Sequence, residues 1–251
     1  MIEIKNLSFA FQGDSVKPIF QKLNLTIPQG HFVSIIGKSG SGKSTLFKLL
    51  TRELSPQEGK IYYKGGPIQS QDAAYMPQKD LLLPWDSILN NVLLPQRLNP
   101  NLSPDPQAGI AWLEKAGLAS VKDNLPQDLS GGMRQRAAFV RTLMNQRQVL
   151  LLDEPFGALD YFTQKEMQDW LLRLWEDMNA TIILVTHNIE EAIYLSDQVV
   201  VLHPLSDQGH QPQVQSIPIH FPRPRQEAIR YSSDFIHYKR QLEGAIQNDP
   251  S

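Results

Sequence analysis

No cysteine occurs anywhere in the 251 residues, so disulfides, thiol nucleophiles and thiolate metal sites are excluded together, and nothing points to an oxidising compartment. Charge of one sign is missing too. The 24 basic residues stand against 26 acidic ones, a formal net charge of −2, too balanced for affinity carried mainly by neutralising a phosphate backbone. No nucleic-acid partner is expected. Long apolar runs are absent: the longest, at 149–152, 182–185 and 199–202, fall far short of the roughly 20 residues that a bilayer core demands. The opening MIEIKNLSF alternates apolar and polar residues as a strand does and carries neither a basic nor an apolar leader region. No secretion signal is expected, and a cytoplasmic location is the default.

What is present suffices for a packed core. With 41% hydrophobic and 20% charged residues, a disordered, collagenous or coiled-coil chain is excluded. Residues 2–36 read as strands broken by the turn-like GDSVKP and PQG, which predicts an antiparallel sheet layer. After a Gly-rich loop, STLFKLLTREL sets Leu46, Phe47, Leu49 and Leu50 at helical spacing. The stretch 79–145 changes character, with LLLPW, a Pro/Asn-rich segment and helical patterns at 108–116 and 133–143, and predicts an inserted helical subdomain. Beyond it VLLLDEP, a helical GALDYFTQKEMQDWLLRLWEDM, TIILVTH, a helical NIEEAIYLSD and QVVVL alternate strand with helix, the pattern of a parallel α/β core. The expected division is one α/β domain over 1–203 and a tail over 204–251, which holds PLSDQGHQPQ, FPRPR and a weak helical pattern around 235–246. No function attaches to that tail.

Gly37-Lys38-Ser39-Gly40-Ser41-Gly42-Lys43-Ser44 fits the spacing G-x-x-x-x-G-K-[ST]. Small residues let backbone N–H groups wrap a polyphosphate, Lys43 brings an ammonium to the β and γ phosphates, and Ser44 offers its hydroxyl to Mg²⁺; Thr45 completes the cradle. The competing reading, a Gly/Ser-rich turn with an incidental lysine, does not account for the strand before and the helix after. A second apolar strand, 149–152, runs into Asp153 and Glu154, which places two carboxylates at the carboxyl edge of a parallel sheet, where ligands gather. Asp153 would hold Mg²⁺ through water, and Glu154 would act as general base towards the water attacking the γ-phosphate. Alone, such a pair also reads as a helix N-cap.

Leu129-Ser130-Gly131-Gly132-Met133-Arg134-Gln135-Arg136 resembles the signature sequence of ATP-binding cassette proteins. The resemblance covers residues 1 to about 202 and implies a P-loop NTPase of ABC type: a parallel sheet core, an N-terminal antiparallel β layer and an inserted helical subdomain. It implies that Ser130, Gly131 and Gly132 meet the γ-phosphate of ATP held by the opposing cassette, so two copies close on two nucleotides and a lone monomer is a poor ATPase. Other positions match in the family's order. Gln78 would approach Mg²⁺ and the attacking water, His187 would contact the γ-phosphate and orient the water and Glu154, and Asp160 of GALD would organise the dimer contact. Phe11 falls where cassettes place an aromatic residue that stacks on adenine, with Phe9 the competing candidate. Departures from the pattern are Thr142 after Arg141, Asn188 where an aspartate commonly follows the histidine, and the missing proline before the Asp-Glu strand.

Within the family the sequence is most similar to the ATPase subunits of nitrate, sulfonate and taurine importers and of importers of pyrimidine precursors, through LSGGMRQR, LLLPWDSILNNV and FPRPR. That implies an ATPase driving an integral membrane permease as a homodimer on the cytoplasmic face of the membrane, with an extracytoplasmic solute-binding protein as an indirect partner. Leu81 to Pro84, Trp85 and Leu89, close after Gln78, form an apolar segment fit to grip a partner helix, with packing in the subdomain's own core as the alternative for Trp85. A soluble, non-transport cassette ATPase is the alternative; 52 residues separate Gln78 from Ser130 (130 − 78), which leaves no room for a long coiled-coil insertion.

Overall fold

A computed structural model describes residues 1–11, 18–178, 180–205 and 213–247. The turn read at GDSVKP and most of PLSDQGHQPQ lie outside the described residues. In chain order the elements are β1 (Ile2–Phe9), β2 (Phe20–Ile27), β3 (Phe32–Ile36), α1 (Lys43–Leu50), β4 (Glu58–Tyr63), β5 (Gly66–Pro67), β6 (Ala73–Met76), α2 (Ile88–Leu98), α3 (Pro106–Lys115), α4 (Gly131–Leu143), β7 (Val149–Asp153), α5 (Tyr161–Glu176), β8 (Thr181–Val185), α6 (Ile189–Leu195), β9 (Gln198–Leu202), β10 (Val214–Pro218) and α7 (Ser233–Gln247). They fall into two compact units, one of residues 1–73 with 180–251, the other of residues 74–179.

In the first unit β2, β1, β4 and β5 form an antiparallel sheet in that order. Alternation sends Ile2 and Ile4 of β1 and Leu23, Leu25 and Ile27 of β2 inward, and a register shift between Ile4 and Leu7 resets the phase of β1 so that Leu7 and Phe9 are buried as well. The β4–β5 hairpin was not legible, because EGKIYYKGGP buries little apolar surface of its own. A second layer runs β10, β9, β3, β8, with β3 parallel to both β8 and β9. All five residues of β3 and of β8 are buried, as strands covered on both faces must be. α1 buries Leu46, Phe47, Leu49 and Leu50, each burial worth about 1.5–3 kcal/mol.

The chain after 203 contributes a strand that its sequence did not announce: β10 pairs antiparallel with β9, Val214 opposite Leu202 through Pro218 opposite Gln198. FPRPR is an anchor. Arg223 donates to the Asp197 carboxylate at 2.8 Å and to Leu195 O at 2.7 Å, and buried Arg225 donates to Ser196 O at 2.7 Å. α7 packs on α6, and Lys239 pairs with Glu190 at 2.6 Å.

In the second unit β6 and β7 are neighbours in a sheet, and α2, α3, α4 and α5 supply the helical part. α2 packs on α4 and α3, and α4 packs on α5 through an edge-to-face pair of Phe139 and Trp170 at 5.3 Å. The helix expected from GALDYF onward begins only at Tyr161, because Asp160 caps it and holds the preceding residues out of helical geometry. Among the described residues no helix is long and apolar enough to cross a membrane.

Candidate functional site

In the first unit the buried strand β3 runs into the loop 37–42, and α1 opens at Lys43. Gly37 is required by close approach, since a Cβ there would lie 2.2 Å from the carbonyl oxygen of Leu202 at the end of β9. Gly42 takes φ 97° as the N-cap of α1, and a Cβ would strike Ile19 and Phe20 at 2.7 Å. With glycine at the cap no side-chain cap bond closes the first turn of α1, and a helix N-terminus of this kind suits an anion. Lys43 is buried and its Nζ donates to Gly37 O at 2.9 Å and Lys38 O at 3.0 Å, which folds the ammonium over the loop. Ser41 is 1% exposed and its Oγ is buried without a hydrogen-bond partner, an arrangement that costs free energy unless something fills it.

Lys38, Ser39, Gly40 and Ser44 are exposed and Thr45 is buried. A Cβ at Gly40 would meet nothing within 4 Å. Backbone donors, an orphaned hydroxyl, an ammonium and a helix N-terminus converge here, and this donor set fits a polyphosphate. Parallel pairing of β3 with β8 brings exposed His187 to the same sheet edge, and Thr186 N bonds Ile35 O at 3.2 Å. Asn188 caps α6 by accepting from the N–H groups of Glu190 at 3.0 Å and Glu191 at 3.2 Å, so amide replaces carboxylate there without loss of the cap. Phe9 is buried and Phe11 is 49% exposed, their rings edge to face at 5.2 Å.

In the second unit β7 ends on Asp153, and Glu154 takes φ 46°, a conformation that costs a non-glycine residue about 1–3 kcal/mol. The pair is no helix cap: Gly157 N returns to Glu154 O at 3.1 Å to close a turn, and the cap of α5 is Asp160. Both carboxylates receive a hydrogen bond from the β6 side. Tyr75 Oη donates to Asp153 Oδ2 at 3.0 Å, and Gln78 Nε2 donates to Glu154 Oε2 at 3.1 Å. Asp153 and Gln78 offer oxygen donors, the hard donor type that Mg²⁺ takes. Among the described residues there is no group of three His, Cys, Asp or Glu side chains that could cage a metal. Mg²⁺ needs no such cage, because it draws most of its ligands from phosphate and water.

Ser130 caps α4, accepting from Met133 N at 3.3 Å, and stands exposed. A Cβ at Gly131 would lie 3.7 Å from Leu159, and one at Gly132 would collide with Thr163 at 2.6 Å, so the openings of α4 and α5 lie side by side and bring Ser130, Gly131, Gly132 and Asp160 into one group. The Asp160 carboxylate accepts from Thr163 Oγ1 at 2.6 Å and from the Phe162 and Thr163 N–H groups. Chiefly the Thr163 hydroxyl holds its pKa below the ordinary aspartate value.

Sequence reasoning did not single out the residues that grip the loop after Gln78. Gln135 Nε2 donates to Gln78 O at 3.3 Å, Arg134 pairs with Asp80 at 3.1 Å, and Arg141 donates to Leu81 O at 2.7 Å and to Asp80 O. Burial draws the pKa of Arg141 down, with Asp80 opposing. Asn91 is fully buried and clamps the next turn, accepting from Leu83 N at 2.6 Å and donating to Leu83 O, Asp86 O and Ser87 O. Its signal lay in the quoted LLLPWDSILNNV, where an asparagine sits among apolar helix positions. Trp85 is 76% exposed and so is not core. A groove of about 570 Å³ beside this loop is lined by Pro77, Leu81, Leu94, Leu98 and Arg141.

The chain matches the ABC transporter family over residues 20–157. It is 42% identical over 203 residues to the formylaminopyrimidine import ATP-binding protein of Halalkalibacterium halodurans, covering 80% of this chain and 79% of that one. It is 40% identical over 216 residues to the nitrate import ATP-binding protein of Synechococcus elongatus, covering 83% and 78%. Among solved structures it is similar to a dimeric post-hydrolysis state of an ATP-binding cassette bound to ADP and Pi, with TM-score 0.73, 26% identity and coverage of 88% of this chain and 100% of that chain.

Proposed function

The chain belongs to the ABC transporter family and is an ATPase coupled to transport, and we propose that it is the ATP-hydrolysing subunit of an importer for a small solute of the nitrate, sulfonate, taurine or pyrimidine-precursor type. It works as a homodimer, peripheral to the cytoplasmic face of the membrane, on an integral permease fed by a solute-binding protein. Residues Gly37 to Thr45 hold the triphosphate, with Lys43 as the fixed positive charge, and Phe11 stacks on the base. Ser44, Gln78 and Asp153 would hold Mg²⁺, which supplies charge neutralisation on phosphate oxygens when bound. Glu154 takes the proton of the attacking water, and the Gln78 N–H on its Oε2 fixes the plane of the carboxylate for that task. His187 orients the water, and Ser130, Gly131, Gly132 and Asp160 act on the nucleotide of the second copy.

The observation that carries this reading is the Gln78–Glu154 bond, because Gln78 opens the same loop that lines the apolar groove. A change at the hydrolytic carboxylate is thereby felt where Leu81, Trp85 and Leu98 stand 59%, 76% and 73% exposed, a surface suited to a helix of the permease. Isolating the tagged chain from gently solubilised native membranes and identifying its companions by mass spectrometry tests it. A polytopic membrane protein and a solute-binding protein are expected; soluble or ribosomal companions alone would keep the ATPase and overturn the importer.

A further inference from the structure

The paired carboxylates share one supporting strand. Tyr75 in β6 and Gln78 just beyond it stand three residues apart (78 − 75) and donate to the consecutive residues Asp153 and Glu154, Tyr75 to the first at 3.0 Å and Gln78 to the second at 3.1 Å. The backbone reason is the adjacency of β6 and β7, which puts the last outward-facing side chain of β6 level with the end of β7. Met76 and Ala74 point into the core, while Tyr75 between them is 38% exposed and turns its hydroxyl to the carboxylate. A carboxylate bonded through Oδ2 has a fixed rotation about its Cβ–Cγ bond, so its other oxygen keeps one direction. Groups that hydrogen-bond a metal's direct ligands typically set about 10–100-fold in metal affinity, and a partner of a carboxylate that reaches the metal through water acts at the lower end of that range.

We propose that Tyr75 is a positioning residue for the metal: its hydroxyl orients the Asp153 carboxylate and thereby sets how tightly the nucleotide-bound protein holds its divalent cation. The proposal rests on the reading of Asp153 as a carboxylate that holds Mg²⁺ through water. Tyr75 itself touches neither metal nor nucleotide. Gln78, two residues beyond the end of β6, donates to Glu154 and also offers its carbonyl oxygen to the cation, whereas the Tyr75 hydroxyl acts on Asp153 alone.

The test uses the full chain with ATP and Mn²⁺ as a paramagnetic probe. Tyr75→Phe deletes only the hydroxyl, and free Mn²⁺ read by electron paramagnetic resonance should show binding weakened by about ten-fold, while ATP affinity measured in excess EDTA stays at the wild-type value. Asp153→Asn run beside it separates the two ideas. Unchanged Mn²⁺ affinity in Tyr75→Phe with weakened affinity in Asp153→Asn overturns the role of Tyr75 and leaves the reading of Asp153 standing; unchanged affinity in both overturns that reading and the proposal with it. Should Tyr75→Phe fold poorly, 3-fluorotyrosine at position 75 preserves the ring and the hydroxyl. Its ¹⁹F resonance should move on Asp153→Asn and on addition of Mn²⁺-free Mg²⁺ with ATP, and a resonance that ignores both would overturn the proposal.

Discussion

The two compact units build their parts of the nucleotide chemistry from different materials. In the first, recognition is made of backbone: a loop of glycines and serines, a helix N-terminus with no side-chain cap, and a lysine tied to two carbonyls of its own loop. In the second, chemistry is made of side chains brought from distant positions, Tyr75 and Gln78 onto Asp153 and Glu154, and Gln135, Arg134 and Arg141 onto the loop at 78–81. A cradle made locally is preformed and binds. A network made of long-range bonds can transmit a change, because each bond it contains joins two elements that could move apart.

That contrast can be broken at its strongest point by Glu154→Gln. An ATPase assay should show turnover reduced by about 10²–10⁴-fold, the usual share of a general base, with ATP binding intact and the closed dimer accumulating. Turnover near wild type would remove Glu154 from its role. Lys43→Ala should act on the other side of the comparison: equilibrium titration should find ATP affinity lowered by about 10–100-fold, since charge-assisted hydrogen bonds are worth about 1.5–3 kcal/mol. Unchanged binding would mean that the backbone cradle suffices alone.

Asn91→Ala should sharpen the picture of the second unit. It strips the turn at 83–87 of four half-buried hydrogen bonds made by one side chain, and chemical denaturation should show a loss of about 1–3 kcal/mol, as expected for leaving partly desolvated backbone groups unsatisfied. Nucleotide affinity should stay near wild type if the phosphate loop is locally made. The smallest effect concerns Asp160. Its folded-state pKa is depressed, first by the Thr163 hydroxyl, so its contribution is present above the unfolded value and is lost as pH falls through the folded one. Melting temperatures followed down through the acid limb should fall less steeply for Asp160→Asn than for wild type. Because the group is fully solvent-exposed the difference should be slight, and an identical acid limb would show that the cap bonds carry no linkage.

Legibility in the sequence followed the same division. The phosphate loop, α1 and the buried strands β3, β7, β8 and β9 were readable because each is specified within a dozen contiguous residues, by glycine spacing or by an unbroken apolar run. The carboxylate pair was readable in place but not in geometry: DEP after a strand is compatible with a helix cap, and only the turn closed by Gly157 and the cap at Asp160 decide otherwise. The alternatives for Trp85 and for Phe9 against Phe11 turn on burial, which no local pattern encodes. β10 was hidden because VQSIP lacks a strong alternation and becomes a strand only through pairing with β9. Tyr75 and Gln135 were hidden because a polar residue carries no mark of a distant partner; Asn91 stood out among apolar helix positions, but nothing local named the groups that it bonds.

By itself, then, the sequence determined the family and with it the class of chemistry, an ATPase of ABC type, because the Gly-rich loop at 37–44, the signature at 129–136 and the Asp153–Glu154 pair are residue types at short, fixed spacings. Tertiary structure alone decided how the carboxylates are held, which aromatic faces outward, and that the loop after Gln78 is bound to the signature helix. Those outcomes depend on which distant backbone and side-chain groups meet, and hydrogen bonds between residues 54 to 78 positions apart leave no periodicity for a linear reading to find.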